Sequence, residues 1–252
     1  MADRPPRLEG KVAIVTGAGM GLGNSTAILF AEQGARVVVA DSNQEAGEKT
    51  VAQICDQGGE AIFVLMDVRR ASDAQQMVSA AVDRFGQLDI LINNVGVQVN
   101  KNVLDTTEDE WDFVLDTNLK AMFICSKYAI RQMRQQRGGS IVCISSLSGL
   151  VGNALQASYN ASKHGVIGLA RCMAIDHAAD NIRVNVVCPG SMNTPLTLTI
   201  PEEKIAPYRK ANLLERFAEP IEIAQTVLFL ASDEASFVTG SVMVADGGFT
   251  TR

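Results

Sequence analysis

Residues 11–23 read KVAIVTGAGMGLG (Lys11–Gly23), and this stretch decides the fold. Lys11–Thr16 is apolar and β-branched at successive positions, as a strand buried on both faces requires. It runs directly into Gly17, Gly19, Gly21 and Gly23, after which helical periodicity begins and lasts to Gln33. A glycine turn between a first strand and a first helix lets a pyrophosphate approach the backbone, where the helix N-terminus offers free N–H groups and a positive dipole end. The G-x-G-x-x-G spacing is absent in every phase, because Leu22, Asn24 and Thr26 occupy the positions it needs. The pattern present is T-G-x-x-x-G-x-G, with Met20 and Leu22 inside the turn.

The same alternation continues along the chain. Further strands are expected at Arg36–Ala40, Ala61–Met66, Leu88–Ile92, Ser140–Ile144, Ile182–Val187 and Val242–Ala245. Helices are expected between them, stopping at Gly34, Gly58 and Gly86; Ser72 is read as an N-cap and Thr107 with Glu110 as a capping box. The capping box would open one long helix to about Gln136, and a further helix would hold Tyr159 to Ala178. Strand–helix alternation without a linker or repeat predicts one α/β domain over residues 1–252, a Rossmann-like doubly wound parallel sheet of about seven strands with helices on both faces. Ser191–Glu219 carries three prolines and weak periodicity, and is read as an irregular substrate lid at the carboxyl edge of the sheet.

Composition narrows the function. The net charge of −6 disfavours nucleic acid as a partner, and no long uncharged apolar run suggests a membrane span. The polar segment Met1–Gly10 does not resemble a secretory signal. Five cysteines (Cys55, Cys125, Cys143, Cys172, Cys188) without metal-ligand spacing read as buried thiols of a reduced, cytoplasmic protein, and two histidines make a zinc site improbable.

Two constellations carry chemistry. At the nucleotide end, the second strand runs into Asp41, eighteen residues after Gly23. A carboxylate there accepts from both ribose hydroxyls of an adenosine and repels a 2′-phosphate. Neither Met20 nor Ser42-Asn43-Gln44 supplies a cation, so NAD is favoured over NADP. Asp67, ending the third strand, is a candidate acceptor for the adenine amino group. At the other end, Tyr159 and Lys163 stand at i and i+4 and share one helix face. An ammonium beside a phenol favours the phenolate, which makes tyrosine a usable acid/base for an alcohol or ketone. Ser146, thirteen residues before Tyr159, is placed to hold the substrate oxygen.

These pieces stand in order with Asn93-Asn94-Val95-Gly96, Asn118, Ser145-Ser146, Pro189-Gly190 and Asp246-Gly247-Gly248. From Leu8 onward the chain resembles the short-chain dehydrogenase/reductase family. The resemblance implies Tyr159 as acid/base, Lys163 as the group that lowers its pKa and binds the nicotinamide ribose, and Ser146 as the orienting hydroxyl. It implies that Asn118 anchors a water leading from Lys163 to solvent. Gly17, Gly19, Met20, Gly21, Leu22, Gly23, Asp41, Asp67, Val68, Asn94 and Gly96 would bind the cofactor. Pro189, Gly190, Met192 and Thr194 would clamp its carboxamide. It also implies a homotetramer assembled through the long helices. Val95 departs from the usual alanine, and Asp176 stands where glutamate is common.

The expected activity is NAD-dependent interconversion of a secondary alcohol and a ketone. Ser146, Ser148, Asn153, Gln156 and Tyr159 are the expected substrate contacts, with Leu147, Leu150, Val97, Gln98 and the lid as further walls. That mixture disfavours a strongly anionic small-molecule substrate and leaves cyclic alcohols, steroid-like rings and polyols open. Three alternatives stand beside it. An NADPH-dependent 3-oxoacyl-carrier-protein reductase would want a basic residue near Met20 or Ser42. A cofactor-binding regulator without turnover has no need of the Ser–Tyr–Lys set. An epimerase usually carries a longer C-terminal domain.

Overall fold

The computed structural model describes residues 6–136, 138–194, 197 and 201–251. Seven parallel strands form one sheet in the order β3-β2-β1-β4-β5-β6-β7. They are β1 (Val12–Thr16), β2 (Arg36–Asp41), β3 (Ala61–Leu65), β4 (Ile90–Asn93), β5 (Gly139–Ile144), β6 (Ile182–Pro189) and β7 (Val242–Ala245). The expected strands are all present, β7 with the expected bounds and the other six with one or both ends shifted by one or two residues. Successive positions of β1 serve opposite faces. Val12 and Ile14 enter one core with Met77, Cys125, Met133 and Val166, while Ala13 and Val15 enter the other with Leu22, Phe30, Ile54 and Leu228. Helices α3 (Ala71–Phe85), α5 (Ala121–Gln136) and α6 (Ala157–His177) cover the first face. Helices α1 (Gly21–Glu32), α2 (Gln44–Asp56) and α8 (Pro220–Ala231) cover the second. Emptying such a fully packed position, for example Leu228→Ala, costs about 2–5 kcal/mol.

Five local readings differ from expectation. The N-cap of α3 is Arg70; Ser72 lies inside the helix, and its hydroxyl donates to Asp73 Oδ1 at 2.9 Å. Asp73 Oδ2 in turn accepts from the Asp67 N–H at 3.0 Å, so an acidic residue in the first turn ties down the β3–α3 loop. The long helix is interrupted. α4 (Glu108–Leu115) does open on the Thr107–Glu110 capping box, but Asp116–Lys120 forms a π turn before α5. The Ala121 N–H reaches back to the Asp116 carbonyl, five residues earlier, and Asn118 sits inside that widened turn. The lid is not wholly irregular, since Glu202–Ala211 forms a helix, α7, and Met192 pairs with Ala218 to close the segment at its base. The helix α8, opened by Pro220 and a Glu219–Glu222 capping box, had not been anticipated. Of the five thiols, Cys125, Cys143 and Cys188 are buried, whereas Cys55 and Cys172 are exposed.

The strand order reverses between β1 and β4, since β1 pairs with β2 on one side and β4 on the other. Loops leaving the carboxyl ends of these two strands diverge there and leave a crevice, which is where ligands of such sheets bind.

Candidate active site

One wall of the crevice is the glycine turn. Gly17 and Gly21 have φ of +65° and +57°, conformations open to glycine but costly for other residues. A Cβ on Gly23 would stand 2.0 Å from the Gly17 carbonyl oxygen, so the turn closes onto α1 only with glycine there. The Asn94 side chain holds the turn from β4, its Nδ2 donating to the Thr16 and Gly17 carbonyls at 3.0 and 3.2 Å. The Gly19 N–H donates to Asp41 Oδ2 at 2.8 Å, which couples the turn to the end of β2. Leu22 is buried and packs into the core, leaving only its backbone for a ligand, while Met20 is 60% exposed at the rim. No side chain caps the start of α1.

Beyond the turn lies a cavity of about 550 Å³ lined by Gly17, Met20, Asp41, Asp67, Val68, Asn94, Gly96 and their neighbours. These residues fit an adenosine. The Thr117 hydroxyl lining the cavity is buried without a hydrogen bond, a polar group aimed at no protein partner. Thr117, Arg69 and Phe113 also line the cavity, beyond the residues expected from the sequence. Arg69 wraps its guanidinium around Asp67, with Nε donating to Oδ1 and Oδ2 at 2.9 and 3.2 Å and Nη2 to Oδ2 at 2.7 Å. It also lies over the Phe113 ring, 5.5 Å from its centroid. This bonding, chiefly the Arg69 side-chain hydrogen bond, holds the Asp67 carboxyl below its ordinary pKa. Met20, Ser42 and Asn43 line this cavity without bringing a cation, as expected; Arg69 brings one from the β3–α3 loop.

The second part of the crevice lies along α6. Tyr159 and Lys163 do share a face, and the Lys163 Nζ is 5.6 Å from the Tyr159 ring centroid. Lys163 is 2% exposed and donates to the Ile144 carbonyl at 2.9 Å. Burial brings its ammonium down to about 8 from the ordinary lysine value. Burial also pushes the Tyr159 phenol upward, and a hydrogen bond with the Ser146 side chain pulls it partly back. The direction differs from the sequence expectation, because desolvation of the buried phenol outweighs the contribution of Ser146. Ser145, its neighbour, turns the other way and donates to the Lys163 carbonyl at 2.8 Å, fastening α6 to β5.

Asn118 is fully buried in the π turn. Its Oδ1 accepts from the Val97 N–H at 2.7 Å, and its Nδ2 donates to the Val97 carbonyl at 2.8 Å and to Ser162 Oγ at 3.0 Å. The side chain thus pins the loop after β4 against α6. Gly96 occupies the gap, where a Cβ would stand 3.1 Å from Lys163 Nζ. Ser148, Asn153 and Gln156 do cluster near Ser146, but they bond to one another: Ser148 Oγ donates to Gln156 Oε1 at 2.9 Å and accepts from Asn153 Nδ2 at 3.0 Å.

Pro189 ends β6, and the Gly190 N–H donates to the Ala245 carbonyl at 3.0 Å. The carbonyl of Met192 accepts from Thr197 Oγ1 at 2.9 Å. The methyl of Thr194 faces Gly21 across the crevice, 3.9 Å from where a Cβ would be. Residues 195–196 and 198–200 of the expected lid lie outside the described residues. Among the described residues no three His, Cys, Asp or Glu side chains gather as a metal would require, and no helix is long and apolar enough to cross a membrane.

The comparisons agree with this architecture. Residues 17–250 match a family model described as enoyl-(acyl carrier protein) reductase. The chain is 42% identical over 249 residues to a cyclopentanol dehydrogenase of Comamonas sp., covering 98% of this chain and 99% of that protein. It is 40% identical over 242 residues to a 3-oxoacyl-[acyl-carrier-protein] reductase of Thermotoga maritima, covering 96% and 98%. The crystal structure of a short-chain type dehydrogenase/reductase from Mycobacterium marinum superposes with a TM-score of 0.91 at 33% identity, covering 98% of each chain. With its parallel seven-stranded sheet, its glycine turn at the β1–β4 crevice and its Tyr159–Lys163 face, this chain belongs to the short-chain dehydrogenase/reductase family of oxidoreductases.

Proposed function

We propose that the protein interconverts a secondary alcohol and a ketone with NAD, using Tyr159 as the acid/base. The observation that carries this reading is the buried Lys163 ammonium set against the Tyr159 ring, 5.6 Å from its centroid, and held by the Ile144 carbonyl. When bound, the nicotinamide supplies the hydride acceptor or donor. In oxidation the Tyr159 oxygen takes the hydroxyl proton of the alcohol; in reduction it returns a proton to the carbonyl oxygen. Ser146 donates to that oxygen as charge develops on it. Lys163, held by the Ile144 carbonyl, keeps a positive charge next to the phenolate when one forms. Asn118 fixes Val97 and Ser162, and thereby the distance between the β4 loop and the catalytic helix.

Asp41 supports NAD, since its carboxylate at the cavity edge would repel a 2′-phosphate. The cyclopentanol dehydrogenase relative favours a neutral cyclic alcohol, and exposed Leu150, Leu155 and Leu214 provide apolar surface of matching character. Phe123 and Ile175 are exposed on α5 and α6, which supports a homotetramer through those helices. The 3-oxoacyl-[acyl-carrier-protein] reductase relative supplies the competing activity. The test is a panel in which cyclic and acyclic secondary alcohols are offered with NAD or NADP, and 3-oxoacyl thioesters with NADH or NADPH. Turnover of a cyclic alcohol with NAD is expected. Turnover chiefly of the thioester with NADPH overturns both the substrate and the cofactor assignment.

A further inference from the structure

Ser148, Asn153 and Gln156 form a polar cluster that the proton transfer itself leaves unused. Ser148, 3% exposed, stands at its centre. Its N–H donates to Ser146 Oγ at 3.1 Å, while its hydroxyl donates to Gln156 Oε1 at 2.9 Å and accepts from Asn153 Nδ2 at 3.0 Å. A hydroxyl has one proton to give, so it donates to one amide and accepts from the other. One amide oxygen and one amide N–H group are left over whichever way the pair is turned. Among the described residues, Asn153 Oδ1 and Gln156 Nε2 make no hydrogen bond. Gln156, at the N-cap of α6, precedes Tyr159 by three residues and Lys163 by seven, the spacing of one helix face.

The cluster is mounted firmly. Gln156 pairs with Lys101 in an isolated β-bridge, and Asn160 Nδ2 ties down the same loop by donating to the Val151 carbonyl at 2.7 Å. Between the two amides Leu155 has a φ of +58°, a left-handed conformation that a branched side chain rarely takes. Strain of this kind persists only where the surroundings enforce it, and it gathers at ligand sites. Here it turns the chain so that Asn153 and Gln156 meet on Ser148.

We propose that the Asn153–Gln156 pair selects a substrate with a second hydroxyl on the carbon next to the one that reacts: a vicinal diol in oxidation, a 2-hydroxyketone in reduction. This rests on the reading of Ser146 and Tyr159 as the groups that meet the reacting oxygen. A hydroxyl both donates and accepts, so it satisfies the free amide oxygen and the free amide N–H together. A carbonyl or an ether satisfies only the N–H, and a bare hydrocarbon ring satisfies neither; polar site groups left unmet are what allow such a site to reject an analogue. Ser148 joins the two binding points through one residue, its backbone on Ser146 and its side chain on the amides, which suits oxygens on neighbouring carbons. The second hydroxyl is held and not consumed. One C–H hydride passes to the oxidised dinucleotide and one O–H proton to Tyr159, leaving a ketone beside an intact hydroxyl.

The test compares kcat/KM with NAD for three probes built on one ring: cyclopentane-1,2-diol (the better of its cis and trans isomers), 2-fluorocyclopentanol and cyclopentanol. Fluorine withdraws electrons much as a hydroxyl does and donates no hydrogen bond, so it separates binding from electronic effects. Wild type is expected to favour the diol over both other probes by about tenfold. Asn153→Ala and Gln156→Ala are each expected to reduce that ratio to about threefold or less, with the change lying mainly in KM for the diol. Each ratio is taken on a single preparation, so any loss of folded protein cancels. Cyclopentanol turned over as well as the diol, or a preference kept in both variants, overturns the proposal and leaves the alcohol–ketone reading standing. A fluoro compound equal to the diol overturns it too, because the preference is then electronic. Turnover of none of the three, with NADH still bound, overturns the cyclic-alcohol reading and the proposal with it.

Discussion

The two ends of the crevice are built by different means. Around Tyr159 and Lys163 the functional side chains are buried and anchored to backbone atoms: Lys163 to the Ile144 carbonyl, Ser145 to the Lys163 carbonyl, Asn118 to both polar groups of Val97. Around the cavity beside the glycine turn the two carboxylates are part-exposed: Asp67 is forked to the Arg69 side chain, and Asp41 accepts from the Gly19 and Asn43 N–H groups of turns. Backbone anchors fix geometry, whatever the neighbouring side chains are. Side-chain anchors can be exchanged, so cofactor preference changes more readily than the chemistry does.

Substitutions can break or sharpen that contrast. The largest effect among the anchored groups is expected at Lys163: Lys163→Met should lower turnover by roughly 10²-fold or more, measured as initial rate at saturating dinucleotide. It should also change the pH dependence of stability. The folded ammonium titrates at about 8 and the unfolded one near 10.5, so between these values the unfolded chain binds more protons. The cost of burying the charge is fully present below pH 8 and disappears as pH rises to 10.5. Relative to the variant, wild type should gain about 3 kcal/mol across that window in urea titrations. A constant difference would mean that Lys163 is not buried as a cation.

Next in size is Gly23→Ala, whose methyl would collide with the Gly17 carbonyl. A loss of about 1–3 kcal/mol is expected, together with weaker NADH binding, because the turn and the first helix must separate. Asn118→Ala removes the partner of two backbone groups and should cost about 1–3 kcal/mol, read by thermal unfolding, with turnover falling more than dinucleotide affinity. The smallest effect belongs to the adenosine end. Asp41→Ser should leave stability nearly unchanged and shift the ratio of NADH to NADPH affinity by about tenfold towards NADPH. A larger penalty at Asp41 than at Asn118 would reverse the contrast.

Much of this was legible in the sequence because it depends on short-range pattern. The double-sided apolar run of β1, its glycine turn, and the one-turn spacing of Tyr159 and Lys163 each lie within a few residues. What escaped depends on distant neighbours. Arg69 enters the adenosine cavity only because β3 stands beside β2, a fact of sheet order rather than of the residues around Asp41. Its signal was present nevertheless, since Asp67 and Arg69 are spaced for a carboxylate to accept the N–H two residues on. The π turn at Asp116–Lys120 leaves no mark in apolar periodicity, because one extra residue in a turn only rotates the stripe on the helix that follows. Helix α7 was hidden by Pro207, which interrupts the helical pattern from within.

The central claim is that Tyr159 carries the proton while the dinucleotide is held elsewhere. It is tested most directly by comparing Tyr159→Phe with wild type in two assays on the same preparation, NADH binding by fluorescence and oxidation of a cyclic secondary alcohol by nicotinamide absorbance. Affinity for NADH is expected to stay within about twofold of wild type and turnover to fall by about 10³-fold. Turnover retained in the phenylalanine variant would contradict it, and would move the acid/base role to another group.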